Sequence, residues 1–294
     1  MKPGFVPALA TPLDKNGQLH KESYQKQIEA MLQAGAVGVL SMGSMGQQAF
    51  LTQSVYLQTA KVAVEAVAGR VPVFVGAMDC SIARAKERMA ALEDLDITAF
   101  VFTAPYYAKA SEGEMMHFFR SVAAATKHGV MLYDLPGVTQ SKITYEMVLQ
   151  LLKEVPNFVG IKSADTVMFR KLKLNPDVPK DFIMVYSGLD TFDVAYKWGI
   201  TNCLDGMLPV TPENTEKLFK AMAENDYDAA GKYLNNILDL RDLFVGYNLW
   251  PSYSQAMNML GFDGDCAPDI STAIRAGGQE AVRNLMVQIG ELKA

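Results

Sequence analysis

The stretch Phe158-Val159-Gly160-Ile161-Lys162 is a short apolar run that ends in a lysine. Runs of this length without regular polar alternation are typical of β-strands covered on both faces in a parallel sheet. Seven further runs of this kind lie along the chain, at Phe5–Ala10, Val37–Met42, Val71–Ala77, Ala99–Thr103, Val130–Tyr133, Ile183–Ser187 and Cys203–Leu208. The pattern therefore predicts eight buried parallel strands.

Segments with apolar residues at helical spacing lie between these strands. Gly35 follows the first of these helical segments and is predicted to stop it. Thr52 precedes the second segment and is predicted to cap it. The predicted helices are Lys21–Gln33, Gln53–Ala68, Ile82–Leu92, Gly113–Thr126, Tyr145–Lys153 and Thr191–Trp198. After about residue 209 the strand signals stop, and four more helices are predicted, at Pro212–Glu224, Ala229–Gly246, Tyr253–Leu260 and Ser271–Leu292.

Alternating strands and helices without a composition break predict an α/β fold, a (β/α)8 TIM barrel with a C-terminal helical extension. We place the catalytic barrel domain in residues 1–225 and the extension in residues 226–294. The alternative is an open doubly wound sheet. Such a sheet usually carries a glycine-rich phosphate loop after its first strand, and Ala10-Thr11-Pro12-Leu13-Asp14 is not one.

Composition limits the class of function. The formal net charge of −5 argues against nucleic-acid and anionic-membrane partners, which favour a basic surface. The three cysteines and three histidines have no metal-ligand spacing, and the odd cysteine count argues against a disulfide framework. We find neither a signal peptide nor a run of about 18 apolar residues that would span a membrane. The expectation is a cytoplasmic enzyme that acts on a small molecule without a metal.

Two side chains at strand ends and one turn carry candidate chemistry, because a barrel of this type has its site at the C-terminal ends of its strands. A buried Lys162 amine can form a Schiff base with a carbonyl, although the same position suits a lysine that extends to the barrel rim or pairs with an Asp. Tyr133 can pass protons or simply pack. In Gly43-Ser44-Met45-Gly46, backbone N–H groups and the Ser44 hydroxyl can bind a carboxylate.

Six motifs follow one another along nearly the whole chain: Ala10-Thr11-Pro12, Gly43-Ser44-Met45-Gly46, Pro105-Tyr106-Tyr107, Tyr133-Asp134-Leu135-Pro136, Gly160-Ile161-Lys162 and Ser187-Gly188. In this order they resemble the dihydrodipicolinate synthase/N-acetylneuraminate lyase family of class I, Schiff-base-forming pyruvate lyases. The most specific part is a Tyr-x-x-Pro on the strand before the Gly-x-Lys.

The resemblance implies a role for each matching residue. Lys162 would form the imine with the keto carbon of a 2-keto acid, and Tyr133 would be the proton shuttle. Ser44, with the Met45 N–H, would hold the carboxylate and link Tyr133 to Tyr107 in a hydroxyl relay. The protonated imine would act as the electron sink, so neither metal nor cofactor is implied.

The resemblance also implies an assembly and a substrate site. The Tyr107 equivalent usually reaches in from a neighbouring subunit, which implies a homotetramer built from tight dimers. The residues expected to bind substrate are Met45, Gly188, Asp190, Leu204 and Asp205.

Several positions depart from the synthase pattern. Synthases usually have an arginine two residues after the Pro of Tyr-x-x-Pro, where it grips a carboxylate, and here that position is Val138. Met45 replaces the second Thr of the usual Gly-Thr-Thr-Gly-Glu, and Gln47 replaces the Glu. These changes point away from lysine biosynthesis.

Acidic positions point instead to a hydroxylated substrate. Asp190 matches one of two acids that bind the polyol chain in sialic acid lyases, while Thr191 replaces the other. Asp205 stands where the family often has Ser or Gly, and it suits a substrate ligand, a base or an ordinary Asp-Gly turn. We expect Asp134 to support the site rather than to act in it.

Four functions remain open at this point. The first is an aldolase that cleaves a 2-keto(-3-deoxy) acid, derived from a sugar, to pyruvate and an aldehyde. The second is a dehydratase of keto-deoxy sugar acids that uses the same imine. The others are a dihydrodipicolinate synthase and a barrel that binds a keto acid without catalysis.

Overall fold

The computed structural model describes residues 1–293. Its eight strands are β1 Gly4–Pro7, β2 Val39–Ser41, β3 Val73–Gly76, β4 Ala99–Thr103, β5 Gly129–Tyr133, β6 Phe158–Ser163, β7 Ile183–Tyr186 and β8 Asn202–Asp205. Each overlaps one predicted strand, because continuous apolar runs are what a sheet buried on both faces requires. Where predicted and observed ends differ, they do so by one to three residues.

The helices are α1 Lys21–Gln33, α2 Gln53–Val67, α3 Ile82–Ala90, α4 Glu112–Ala123, α5 Pro136–Thr139, α6 Tyr145–Glu154, α7 Thr166–Leu174, α8 Phe192–Lys197, α9 Pro212–Ala223, α10 Tyr227–Tyr247, α11 Leu249–Met259 and α12 Gly278–Gln288. Gly35 follows α1 with φ +92°, as expected of a helix stop. The fold is therefore a (β/α)8 barrel with further helices at its C-terminal end.

The eight strands are parallel and lie in the order β1-β8-β7-β6-β5-β4-β3-β2. The barrel closes between β1 and β2 through a bridge of Ala8 with Leu40, where the Leu9 N–H donates to the Leu40 carbonyl at 2.9 Å. Inward-facing side chains fill the barrel, among them Val6, Leu40, Phe74, Val101, Met131, Val185 and Leu204. The larger part of the core lies between the strands and the surrounding helices.

Two predictions about helices are wrong, and the helices α5 and α7 were not predicted. The segment Ser271–Leu292 is not one helix, because Gly277 has φ +78° and α12 begins only after it. Helix α7 was not predicted, although Asp165 caps it by accepting from the Met168 N–H. Thr52 lies at the start of α2 without capping it, since its hydroxyl lies 3.2 Å from Ser54 Oγ instead.

Helix α10 connects the barrel to the C-terminal helices. It packs against α9, α11 and α12, and also against α8 and the turn Leu189–Thr191 that follows β7. One face of α10 therefore lies at the C-terminal ends of the strands, where barrel enzymes have their sites. The proposed boundary at residue 225 stays a prediction.

Candidate active site

Lys162 and Tyr133 lie side by side at the top of the barrel. The parallel ladder of β5 and β6 pairs Tyr133 directly with Lys162, so both side chains point to the same face. The Lys162 Nζ lies 3.6 Å from the centre of the Tyr133 ring, and each residue is only 6% exposed. The amine is thus held against an aromatic face with little access to water.

A cavity of about 210 Å³ opens onto these two side chains. Its walls are formed by Ala8, Ser44, Met45, Tyr133, Lys162, Asp205, Gly206, Met207, Arg241 and Leu249. The structure thereby brings together five of the predicted site residues, although they are far apart in the sequence.

The turn that holds Ser44 is fixed by contacts to the segment that follows β1. The Thr11 hydroxyl donates to the Gly46 carbonyl at 2.7 Å, and Gln47 Nε2 donates to the Thr11 carbonyl at 3.2 Å. A side chain at Gly46 would meet the Leu9 carbonyl oxygen at 2.9 Å and the Met42 backbone nitrogen at 2.8 Å. These contacts give the Ala-Thr-Pro motif a physical role, which is to position the Ser44 turn.

Met42 begins this turn in a strained conformation. Its φ of +56° lies in the left-handed region, which a side chain with a Cβ rarely adopts. The Met42 carbonyl also lies so close to Gly76 that a Cβ there would meet the Met42 oxygen at 1.9 Å. The strain is maintained by close packing between β2 and β3, directly beside the cavity.

Asp205 ends β8 in the wall of the cavity. Its Oδ1 accepts from the Met207 N–H at 2.8 Å. Burial raises the pKa of this carboxyl above its ordinary value of 3.8, and the Met207 N–H and the positive charges of Lys162 and Arg241 oppose the rise only in part. An acidic group with a raised pKa thus lies in the same cavity wall as the Lys162 amine.

Gly206 is needed for the close approach of Met45. A Cβ at Gly206 would lie 2.0 Å from Met45 Cγ. The Asp-Gly pair that ends β8 thus gives the cavity both a carboxyl group and room for the thioether side chain of Met45.

Asp190 does not line the cavity, because its carboxylate is bound by Arg241. Arg241 Nη1 and Nη2 donate to the two Asp190 oxygens at 2.7 and 2.8 Å, and this ion pair lowers the pKa of Asp190. Gly188 packs against the Tyr186 ring, and Leu204 is fully buried in the barrel core. The substrate roles of these three predicted residues stay predictions.

Tyr107 also lies apart from the cavity. Its side chain is 91% exposed, and its backbone N–H donates to Cys80 Sγ at 3.3 Å. Among residues 1–293, no hydrogen bond joins the hydroxyls of Ser44, Tyr133 and Tyr107 within the chain, so the relay stays a prediction.

Asp134 supports the segment that follows β5. It binds the Lys142 ammonium and accepts from the Ile143 N–H at 3.0 Å and the Ser163 hydroxyl at 2.8 Å. These partners lie in the chain after α5 and at the end of β6. Asp134 therefore connects these two segments next to Lys162.

Two residues of the cavity wall lie outside the strands and strand ends from which the site was predicted. Arg241 lies on α10 and Leu249 begins α11, far from any strand end. The sequence around these two residues does not indicate a site. An arginine within an amphipathic helix, for example, is usually an ordinary exposed residue. Only the packing of α10 over the strand ends brings Arg241 to the site.

In the part of the chain that the structure describes, no three His, Cys, Asp or Glu side chains are placed to hold a metal ion. No helix within the same residues is long and apolar enough to cross a membrane. The cavity instead offers an amine, a phenol, a hydroxyl and a carboxyl.

Comparisons with known proteins place this site in context. The model of the dihydrodipicolinate synthetase family matches residues 1–269. A 4-hydroxy-tetrahydrodipicolinate synthase of Bartonella quintana is 30% identical over 239 residues, which are 81% of each chain.

Two solved structures share the fold. One is N-acetylneuraminate lyase from Proteus mirabilis, with a TM-score of 0.90 and 17% identity over 99% of both chains. The other is a prophage protein of the dihydrodipicolinic acid synthase family from E. coli K12 in complex with pyruvate. It has a TM-score of 0.87 and 22% identity over 98% of this chain and 99% of that one.

Proposed function

This chain belongs to the dihydrodipicolinate synthetase family, and on that premise we propose which reaction the cavity around Lys162 performs. Members of the family are class I pyruvate-dependent lyases, so the chain is a lyase of that class. We propose that it reversibly cleaves a 2-keto(-3-deoxy) acid, derived from a sugar, to pyruvate and an aldehyde. The observation that carries this proposal is the buried Lys162 amine beside the Tyr133 ring in a cavity that also contains Ser44 and Met45.

The proposed reaction begins when the Lys162 amine attacks the keto carbon and water leaves, which gives a protonated imine. The water that leaves takes the phenol proton of Tyr133, and the resulting phenolate then accepts the proton of the substrate hydroxyl on C4 as the C3–C4 bond breaks. The aldehyde leaves, and the bonding electron pair passes into the imine to give an enamine. Protonation of the enamine carbon and hydrolysis of the imine release pyruvate and restore the amine.

The substrate carboxylate would lie against the turn of Ser44 and Met45. The backbone N–H of Met45 and the Ser44 hydroxyl are the donors that this wall of the cavity supplies. Rigid anchoring of the turn by Thr11 supports this role, because a site must hold its substrate before the chemistry begins.

Two observations support a substrate other than the aldehyde used by synthases. Val138, which stands in place of the arginine, is 58% exposed on α5 and has no charge to offer. Asp205 adds to the cavity a carboxyl group that can hydrogen-bond substrate hydroxyls. The relative from Bartonella quintana is named a synthase, and that activity is the alternative that a substrate panel must test.

Dehydration of a keto-deoxy sugar acid is the second candidate. It is favoured by Asp205, since a carboxyl whose pKa is raised by burial can donate a proton to a departing hydroxyl. Both reactions use the same imine, and release of pyruvate distinguishes them.

Sodium borohydride with pyruvate tests the imine directly. We expect a reduced pyruvate adduct on Lys162 by peptide mass spectrometry, and no adduct together with loss of activity in Lys162→Ala. Lys220→Ala, a change of an exposed lysine on α9, is the matched control and should be modified like wild type. Full activity in Lys162→Ala, or no adduct on the wild-type chain, would contradict the proposal.

For the assembly we propose a homotetramer of tight dimers. The exposed position of the Tyr107 side chain supports this proposal, because a phenol that does not reach its own cavity is free to contact a neighbouring subunit.

A further inference from the structure

Arg241 forms part of the wall of the Lys162 cavity although it lies on α10, in the helices that follow the barrel. We propose that Arg241 determines specificity by binding a second carboxylate of the substrate, at the end remote from the imine. This inference rests on the proposed function and narrows it to 2-keto diacids. The second carboxylate would thus be bound from α10, at a position different from that of the arginine that is missing at Val138 on α5.

The hydrogen-bond donors of Arg241 support this role. A guanidinium has five N–H groups in a fixed fork. Asp190 accepts from Nη1 and Nη2, and Asp242 Oδ1 accepts from Nε at 3.0 Å and Nη2 at 2.9 Å. Among residues 1–293, one N–H of Nη1 therefore remains without an acceptor, on a side chain that borders the cavity.

Two cationic side chains border the cavity, so each end of a dianion can lie near one of them. Among residues 1–293, Lys162 and Arg241 are the cationic side chains in its wall and Asp205 is the acid, while Asp190 and Asp242 pair with Arg241 from outside the wall. One carboxylate of the substrate would lie at the Ser44 turn, and the second would accept hydrogen bonds from Arg241.

The ion pair with Asp190 positions Arg241 without closing access to it. The Asp190 side chain is 62% exposed and that of Arg241 is 29% exposed. Exposed ion pairs are weak, because water solvates both partners well. A substrate carboxylate can therefore share the guanidinium with Asp190 or displace it, and in either case it gains charge-assisted hydrogen bonds.

A merely structural role for Arg241 would have a different consequence. If the residue only ties the turn after β7 to α10, its loss would weaken the binding of all 2-keto acids alike. If it binds a carboxylate, its loss would act on diacids alone. Pairs of ligands that differ in one terminal group separate these two roles.

The experiment measures borohydride trapping on Lys162 with 2-oxoglutarate and 2-oxoadipate, against the unbranched monoacids of the same carbon number. We expect wild type to reach half-maximal trapping at diacid concentrations at least about 10-fold lower than for the monoacids. In Arg241→Gln the diacid concentration for half-maximal trapping should rise about 10- to 100-fold. The corresponding monoacid concentration should stay within about 2-fold of wild type. Arg241→Lys, which keeps the charge and loses the fork, should lie between them.

The control is Arg283→Gln, which removes an exposed guanidinium on α12 and should leave all ratios unchanged. Equal losses for diacids and monoacids in Arg241→Gln, or no diacid preference in wild type that traps pyruvate, would overturn the inference alone. Absence of any pyruvate adduct in wild type would instead reject the proposed function.

Discussion

At the scale of single residues, the strand pairing of Tyr133 with Lys162 determines the site. Neighbouring positions in a parallel ladder share a face, so a phenol and an amine at two strand ends meet without any special loop. Asp205 joins them from β8, and its half-buried carboxyl is the feature that most distinguishes this cavity from one with Ser or Gly at that position.

Asp205 should make stability depend on pH in a defined direction. Its pKa in the folded chain lies above the ordinary value of 3.8, so the folded state binds this proton more tightly than the unfolded state does. The resulting contribution to the stability of the folded chain is fully present below pH 3.8. It is lost as the pH rises through the raised pKa. The Asp205→Asn variant keeps an acceptor for the Met207 N–H. Because the amide does not ionise, the variant does not lose stability as the pH rises.

We therefore expect Asp205→Asn to melt a few degrees above wild type at pH 7, with the gain disappearing as the pH falls to about 4. Thermal unfolding by circular dichroism across this range measures it. Asp239→Asn, on the exposed face of α10, is the control and should show no such trend. A lower melting temperature for Asp205→Asn at pH 7 would argue against a buried, unfavourable charge.

The chemistry of individual residues could be predicted only where it falls at strand ends. Lys162, Tyr133, Ser44, Met45 and Asp205 all follow apolar runs, and all line one cavity. Asp190 follows β7 in the same way, yet its carboxylate is bound by Arg241, a residue about fifty positions later. No local pattern encodes that pairing, because it depends on how a distant helix packs.

At the scale of elements, apolar runs and helical periodicity locate the strands and most helices, since burial on a regular geometry produces both patterns. Helix α7 was missed because its exposed face includes apolar Val167 and Leu174, which obscures the periodicity. The extent of α12 was overestimated because Gly277 at positive φ interrupts the helical path. Both errors arise at the surface of the protein, where burial in the core does not determine the sequence pattern.

The turn from Met42 to Gln47 is the element whose rigidity should affect binding most directly. Thr11→Val removes the hydroxyl that donates to the Gly46 carbonyl and leaves that carbonyl without its partner. We expect the free energy of unfolding to fall by about 1–3 kcal/mol. We also expect the pyruvate concentration for half-maximal trapping on Lys162 to rise several-fold, because the Ser44 turn loses its anchor.

Thr59→Val is a close control for this change. Thr59 is equally buried, and its hydroxyl donates to the Val55 carbonyl, also at 2.7 Å, but within α2 and away from the cavity. Chemical denaturation and trapping, measured together, should show a cost in stability for both variants and a loss of pyruvate affinity for Thr11→Val alone. Equal pyruvate affinity in the two would show that the turn needs no anchor.

At the scale of the whole molecule, large apolar side chains remain exposed on one side of the barrel. Leu174 at the end of α7 is 74% exposed, and Trp198 after α8 is 52% exposed with the Arg170 guanidinium over its ring at 5.7 Å. Leu174 and Trp198 line one surface depression, whereas Tyr107 is exposed on the loop after β4. Two separate exposed regions are what a dimer of dimers requires, one for each kind of contact.

We expect the wild-type chain to have the mass of four 32.2 kDa subunits by light scattering after size exclusion. Charges at the depression, in Leu174→Glu with Trp198→Glu, should give a dimer, because a carboxylate buried in an apolar contact is strongly unfavourable. Imine trapping should persist in that dimer if Tyr107 meets its neighbour through the other contact. Ile270→Glu, at a residue 77% exposed among the C-terminal helices, should stay tetrameric. A monomeric wild type, or a double variant of unchanged mass, would contradict this assignment of the surfaces.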